Sequence, residues 1–333
     1  MTYVESEKIG KLVAAAENIL IIQADNPDAD SLGSALALEA ILTEEGKKAS
    51  MYCSVEMPQY LRYLKGWDRV VNTLPNKFDL SIVVDASTMT LLEKLSISGS
   101  LGSIKSKPVI VLDHHALVEN QIDFAEVIIN DDSKSSAGEV IYLVAKDNGW
   151  QLPLDANEAI ATSILGDTQG LTNNLAKADT YRLFAELIDS GVNRPSLEEI
   201  RRDYSRMPQI IYKFKAELIQ RTEFYCSDKL AIVRVSQTEI NQYSPLYNPA
   251  PLIQTDMLQI EGVEVAIVLK HYGDGKITGA IRSNNRSPIA GLLAESLGGG
   301  GHNFASGFKI TDGTSFDAIK QLIIEKTEEL LKQ

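Results

Sequence analysis

Between residues 18 and 167, short runs of branched apolar residues alternate with longer helical patterns. That alternation limits the fold more than any other feature of the chain. "NILII" (18–22), "KASMYC" (48–53), "LSIVVDAS" (80–87) and "PVIVLDHH" (108–115) read as strands. They lack polar alternation, as strands buried on both faces do. "SLGSALALEAILTEEG" (31–46) reads as a helix closed by Gly46, and helical stretches follow at 136–149, 156–165 and 177–190. Strand and helix in turn predict an α/β fold, an open and mainly parallel sheet flanked by helices.

The pattern changes near Gly191. Residues 190–222 read as a turn and then helices. Beyond them the strands are 229–236, 263–272 and 276–283, the last two joined by "GDG", a hairpin signal. A helix (288–297), a glycine-rich loop, a strand near 304–310 and a closing helix (315–332) complete a second, smaller α+β domain. The expected division is 1–190, a helical linker at 191–222, and 223–333.

Charge narrows the partners. The net charge of −13 argues against a broad surface for long duplex nucleic acid, which is usually basic. A small phosphorylated ligand or the end of a short oligonucleotide remains open, through a local site. No apolar run approaches the ~20 residues that span a bilayer, so no membrane partner is expected. The first residues carry two Glu before their apolar part, unlike a secretory signal. Two cysteines, Cys53 and Cys226, are too few for a disulfide framework, and the expected compartment is the reducing cytoplasm.

Three first-domain strands run into acids. "NILIIQADNPDAD" ends in Asp28 and Asp30, "LSIVVD" in Asp85, and "VIVLDHH" in Asp113, His114 and His115. A fourth acid, Asp167, closes the helical run "ILGD". Ligands of open α/β sheets bind outside the carboxyl ends of the strands, so these groups are expected to share one crevice. Taken singly, an Asp after a strand is a helix cap or turn residue, and Asp28 or Asp30 could cap the helix that follows. Taken together, clustered carboxylates repel, and a divalent cation removes that cost. Oxygen ligands with one or two imidazoles suit manganese or magnesium better than zinc.

In order, "NPDADSLGSALAL", "VVDAS", "LDHH" and "GDT" resemble the motifs of the DHH phosphoesterases. The later "GGGGHNFASG" resembles the signature of their DHH-associated C-terminal domain, found in the nanoRNase, RecJ-like and cyclic-dinucleotide phosphodiesterase branches. The resemblance implies two Mn2+ ions, with Mg2+ as the alternative, bridged by Asp85. Asp30, His114 and Asp167 complete one site. Asp28 belongs to the other, with a His that the family carries four residues earlier, where this chain has Ala24. Water, Gln23 or Asp25 could replace that nitrogen. A natural branch with a weakened site and a deliberate His→Ala change both stay open. His115 is implied to face the substrate phosphate, with Asp113 orienting the His pair.

The glycine run of the second domain reads as a backbone nest for an anion, followed by His302, with Arg282 and Ser283 ending a strand nearby in sequence. A flexible loop with a surface His and an ordinary surface Arg are the plainer alternatives. The resemblance assigns Gly299, Gly300, Gly301, His302, Arg282 and Ser283 to the substrate. Tyr243 and Tyr247 could stack on bases or pack on the domain surface. The leading expectation is a manganese-dependent phosphodiesterase acting on short oligonucleotides or on cyclic or linear dinucleotides, with a homodimer implied by resemblance. A nucleotide-binding protein with little turnover, and a phosphatase for 3′,5′-bisphosphorylated nucleosides, pyrophosphate or polyphosphate, are the alternatives.

Overall fold

The computed structural model describes residues 2–115, 121–204, 206–244 and 248–332, and for His302 the backbone alone. Tyr247 lies outside the described residues. The chain forms two compact units, Met1–Ser205 and Arg206–Gln333.

In chain order the first unit comprises α1 (Ser6–Ala15), β1 (Asn18–Ile22), α2 (Ala29–Glu44), β2 (Lys48–Tyr52), β3 (Leu80–Val84), α3 (Glu93–Ile97) and α4 (Leu101–Lys105). It continues with β4 (Val109–Asp113), β5 (Val127–Asn130), α5 (Ala137–Asn148), α6 (Leu154–Asp167), α7 (Ala178–Asp189) and α8 (Arg194–Tyr204). Its sheet has the order β2-β1-β3-β4-β5, and every pairing is parallel. β3 and β4 are buried along their whole length, which explains their unbroken apolar runs. Side chains alternate between two cores. Ile19 and Ile21 join α2, α5 and α6 on one face, while Leu20 and Ile22 meet Leu92, Leu95 and Ile104 on the other.

α2 is apolar all round because it is enclosed, packed on the sheet and on α5 and α6. It starts two residues before the predicted Ser31, because the Asp28 side chain accepts the N–H groups of Asp30 and Ser31 and so begins the helix at Ala29. The strand order reverses between β1 and β3, and the loops leaving those two strands part there.

The second unit runs α9 (Gln209–Gln220), β6 (Glu223–Tyr225), β7 (Leu230–Ser236), α10 (Gln237–Tyr243), α11 (Pro249–Leu258), β8 (Val265–His271) and β9 (Ile277–Ser283). It closes with α12 (Ala290–Ser296), β10 (Gly300–His302), β11 (Ala305–Ile310) and α13 (Phe316–Leu330). Its mixed sheet has the order β10-β11-β9-β8-β7-β6, with β7 and β8 parallel and the remaining pairs antiparallel. β8 and β9 form the hairpin signalled by "GDG", and Gly275 takes the positive φ of its turn. The second half of the predicted glycine-rich loop is instead the edge strand β10, paired with β11. There Gly301 has φ 139, and a Cβ on it would come within 2.7 Å of the Ser306 Cα, so backbone pairing itself demands glycine. Among the described residues, no helix is long and apolar enough to cross a membrane.

Candidate metal centre

The acids named from the sequence gather at the carboxyl end of the first sheet. Asp30 stands in the first turn of α2, Asp85 follows β3, Asp113 ends β4, His114 and His115 come next, and Asp167 ends α6. Ligand atoms of Asp30, His114 and Asp167 lie within 4.8 Å of one another, as do those of Asp85, Asp113, His114 and His115. His114 belongs to both groups and joins them.

His114 Nε2 lies 3.1 Å from Asp167 Oδ2, 3.3 Å from Asp30 Oδ2 and 3.7 Å from Asp85 Oδ1. It is buried and hydrogen-bonded to none of them, and Asp85 Oδ1 is likewise buried without a partner. Lone polar atoms that converge without bonding to each other are the arrangement expected around a shared cation. The electrostatics agree. Burial, then repulsion from Asp30, Asp28, Asp113 and Asp167, pushes Asp85 well above the usual carboxylate range. Burial also raises Asp167. Burial opposes the His114 cation, but the carboxylates of Asp167 and Asp30 outweigh it and raise His114 to about 10. A divalent ion would relieve the repulsion that the Asp85 and Asp167 shifts express and would replace the proton that the same carboxylates favour on His114, so the residues fit a metal. Asp85 adopts φ 55, a region costly for a residue with a Cβ, and this strain sits at the middle of the cluster.

Asp113 has a different task. Its Oδ1 accepts the backbone N–H groups of His114 and His115 at 2.8 and 3.3 Å and lies 2.8 Å from His115 Nδ1. Contact with Asp113 raises the pKa of His115. With Nδ1 committed, the half-exposed ring has its other nitrogen available to a ligand.

Asp28 is outside both groups of converging atoms, and its Oδ1 is occupied by the cap of α2. Ala24 is 4% exposed and packs among Leu20, Ile22, Tyr52 and Leu92. Both neighbours keep buried polar atoms without a partner, Asp25 Oδ1 and the two amide atoms of Gln23, but neither side chain is placed where an imidazole at 24 would be. Asp25 Oδ2 accepts the Lys94 N–H at 2.7 Å, at the start of α3. Gln23 is wholly buried, and strand alternation puts it on the face opposite Ala24.

Four residues absent from the sequence-based set also hold the centre: Ser34, Ser163 and the backbone of Ala137 and Gly138 all donate to Asp30. A signal was present, since Ser34 is four residues after Asp30 and Ser163 four before Asp167, each on the acid's own helix face. At the meeting of α2 and α6, a Cβ on Gly166 would approach the Ala29 Cβ to 2.8 Å, so a glycine lets the helices that carry Asp30 and Asp167 close up.

In the second unit, the register sets His302 opposite Ala305, and Ala305 opposite Arg282, in one row across three strands. Arg282 is exposed. Ser283, the next residue, is buried on the opposite face and donates to the Asn303 carbonyl at 2.8 Å, so the pair is split across the sheet. Gly299 and Gly300 lead into and begin β10. Tyr243 is stacked on Phe214, with ring centroids 4.0 Å apart.

The family model for the DHH family, N-terminal domain, matches residues 18–166, and that for the DHHA1 domain matches residues 250–329. Similar curated proteins include the bifunctional oligoribonuclease and PAP phosphatase NrnA of Bacillus subtilis, 23% identical over 93% of this chain and 94% of that protein. The cyclic-di-AMP phosphodiesterase GdpP of Geobacillus thermodenitrificans is 23% identical over 95% of this chain and 48% of its own length. Among solved structures, an exopolyphosphatase-related protein from Bacteroides fragilis aligns over 100% of both chains with a TM-score of 0.83 and 22% identity, which establishes the fold.

Proposed function

From the premise that the chain belongs to the DHH family and carries a DHHA1 domain, we propose that it is a manganese-dependent phosphodiesterase that hydrolyses short oligonucleotides or dinucleotides. The observation that carries this reading is the convergence of buried, unpartnered His114 and Asp85 atoms with Asp30 and Asp167. The names of the relatives, an oligoribonuclease and a cyclic-dinucleotide phosphodiesterase, support the substrate class.

Asp30, Asp85, His114 and Asp167 would hold one ion, and Asp28 with Asp85 a second. Oxygen donors with a single imidazole favour manganese or magnesium over softer metals. Bound ions lower the pKa of water and offset charge on phosphoryl oxygens. Asp113 holds the His115 ring so that its outer nitrogen can donate to a phosphoryl oxygen and stabilise charge developing there. Arg282, exposed and fork-shaped, would bind a phosphate in the second unit beside the Gly299–Gly301 run and His302.

The test is a substrate panel: a 5′-phosphorylated dinucleotide, a cyclic dinucleotide, a short oligonucleotide and a 3′,5′-bisphosphorylated nucleoside, each with manganese and with chelator. Turnover should vanish with chelator and in Asp85→Ala; turnover that survives Asp85→Ala overturns the reading. A second reading, a nucleotide-binding protein with little turnover, is favoured by Ala24, whose methyl lies in an apolar cluster where the family resemblance expects a ligand. Tight binding of a panel member with no product over hours at saturating manganese would select it.

A further inference from the structure

We propose that Ser163 is a positioning residue that decides which oxygen of Asp30 is offered to a metal ion. The inference rests on the metal-centre reading. Asp30 is wholly buried, and its two oxygens are used differently. Oδ1 accepts the Ser163 hydroxyl at 2.6 Å and the Ser34 hydroxyl at 2.9 Å, with the Gly138 N–H at 3.4 Å. Oδ2 accepts one backbone N–H, from Ala137 at 2.8 Å, and lies 3.3 Å from His114 Nε2. A carboxylate has about four lone-pair sites, two on each oxygen. Those of Oδ1 are filled, so the remaining one is on Oδ2, the oxygen next to His114.

Proton accounting singles out Ser163 within this set. Its hydroxyl carries one hydrogen, yet Ser163 Oγ is also 2.9 Å from Ser136 Oγ and accepts the Gly138 N–H at 3.1 Å. The short contact to a buried carboxylate takes the hydrogen, because a charged acceptor makes the stronger bond. Ser136 Oγ, placed as an acceptor of Ser163 and of the Glu139 N–H at 3.2 Å, is the weaker claimant on that hydrogen.

The same place explains a glycine. A Cβ on Gly138 would stand 2.2 Å from Ser163 Oγ and 2.8 Å from Ser163 Cβ. The hydroxyl occupies space that only a glycine at 138 leaves open. The two residues thus form one device, and either can disable it.

The experiment is a manganese titration by calorimetry on EDTA-stripped protein, with the unfolding midpoint in EDTA measured in parallel. Ser163→Ala should weaken binding of the tight ion by about tenfold, the low end for residues that orient metal ligands. Gly138→Ala, which keeps the Ser163 hydroxyl but displaces it, should weaken binding in the same direction, and it carries the test should Ser163→Ala fail to fold. In a Ser163→Gly background, Gly138→Ala should cost nothing further, because the clash and the hydroxyl are both gone. Lower unfolding temperatures with unchanged affinity would show a packing role and overturn the inference, as would additive losses. Absence of manganese binding by the unchanged chain overturns the metal-centre reading and the inference with it. Normal binding in both single variants overturns the inference alone.

Discussion

The two sides of the acid centre are built to different standards. On one side Asp30 is wholly buried and accepts bonds from two serine hydroxyls and two backbone N–H groups, with His114 and Asp167 within 3.3 Å of each other's atoms or its own. On the other, Asp28 spends an oxygen capping α2, Ala24 offers only a methyl, and Asp25 spends its Oδ2 on the Lys94 N–H. A ligand held in advance costs little to reorganise when an ion arrives, whereas a loosely supplied position depends on water and on the substrate itself. The contrast predicts one strong ion position and one weak one.

Four substitutions sharpen or break that contrast. The largest effect belongs to Asp85→Asn, which removes the carboxylate proposed to serve both ions; hydrolysis of the best panel substrate should fall to background, measured as product formed per hour. Next is Asp30→Asn, which should weaken the tight ion by about 100-fold or more, the upper range for changes around a metal, in a manganese titration. Ala24→His should act on the weak side alone, tightening the second ion by about tenfold and raising turnover, with the first affinity unchanged. The smallest effect is that of Asp28→Ala on folding: loss of the α2 cap should cost about 1 kcal/mol in denaturant unfolding. If Asp28→Ala weakens the tight ion as much as Asp30→Asn does, the two sides are not distinct.

Much of this arrangement was legible in the sequence because strand ends are read directly from where apolar runs stop. Asp85, Asp113 and His114 needed only the location of β3 and β4, and the parallel sheet then brought them together. Contributions that cross between elements were not legible. Nothing local tells that Ser163 on α6 reaches Asp30 on α2, or that Gly138 on α5 is small to make room for it. β5 was missed because "VIIN" is a four-residue run with half its positions only partly buried, too short to stand out. The glycine run misled in part: consecutive glycines suggest a loop, yet Gly300 and Gly301 pair as an edge strand. Likewise Arg282 and Ser283, adjacent in sequence, are separated by the two faces of one strand.

The most direct test is the number of ions that the EDTA-stripped chain binds. Calorimetric titration with manganese, run side by side on the unchanged chain and on Ala24→His, should give one tight ion and a second at least about tenfold weaker in the former, and two tight ions in the latter. Two ions of equal affinity in the unchanged chain would contradict the account, because the side built around Ala24 and Asp28 would then hold metal as firmly as the side built around Asp30.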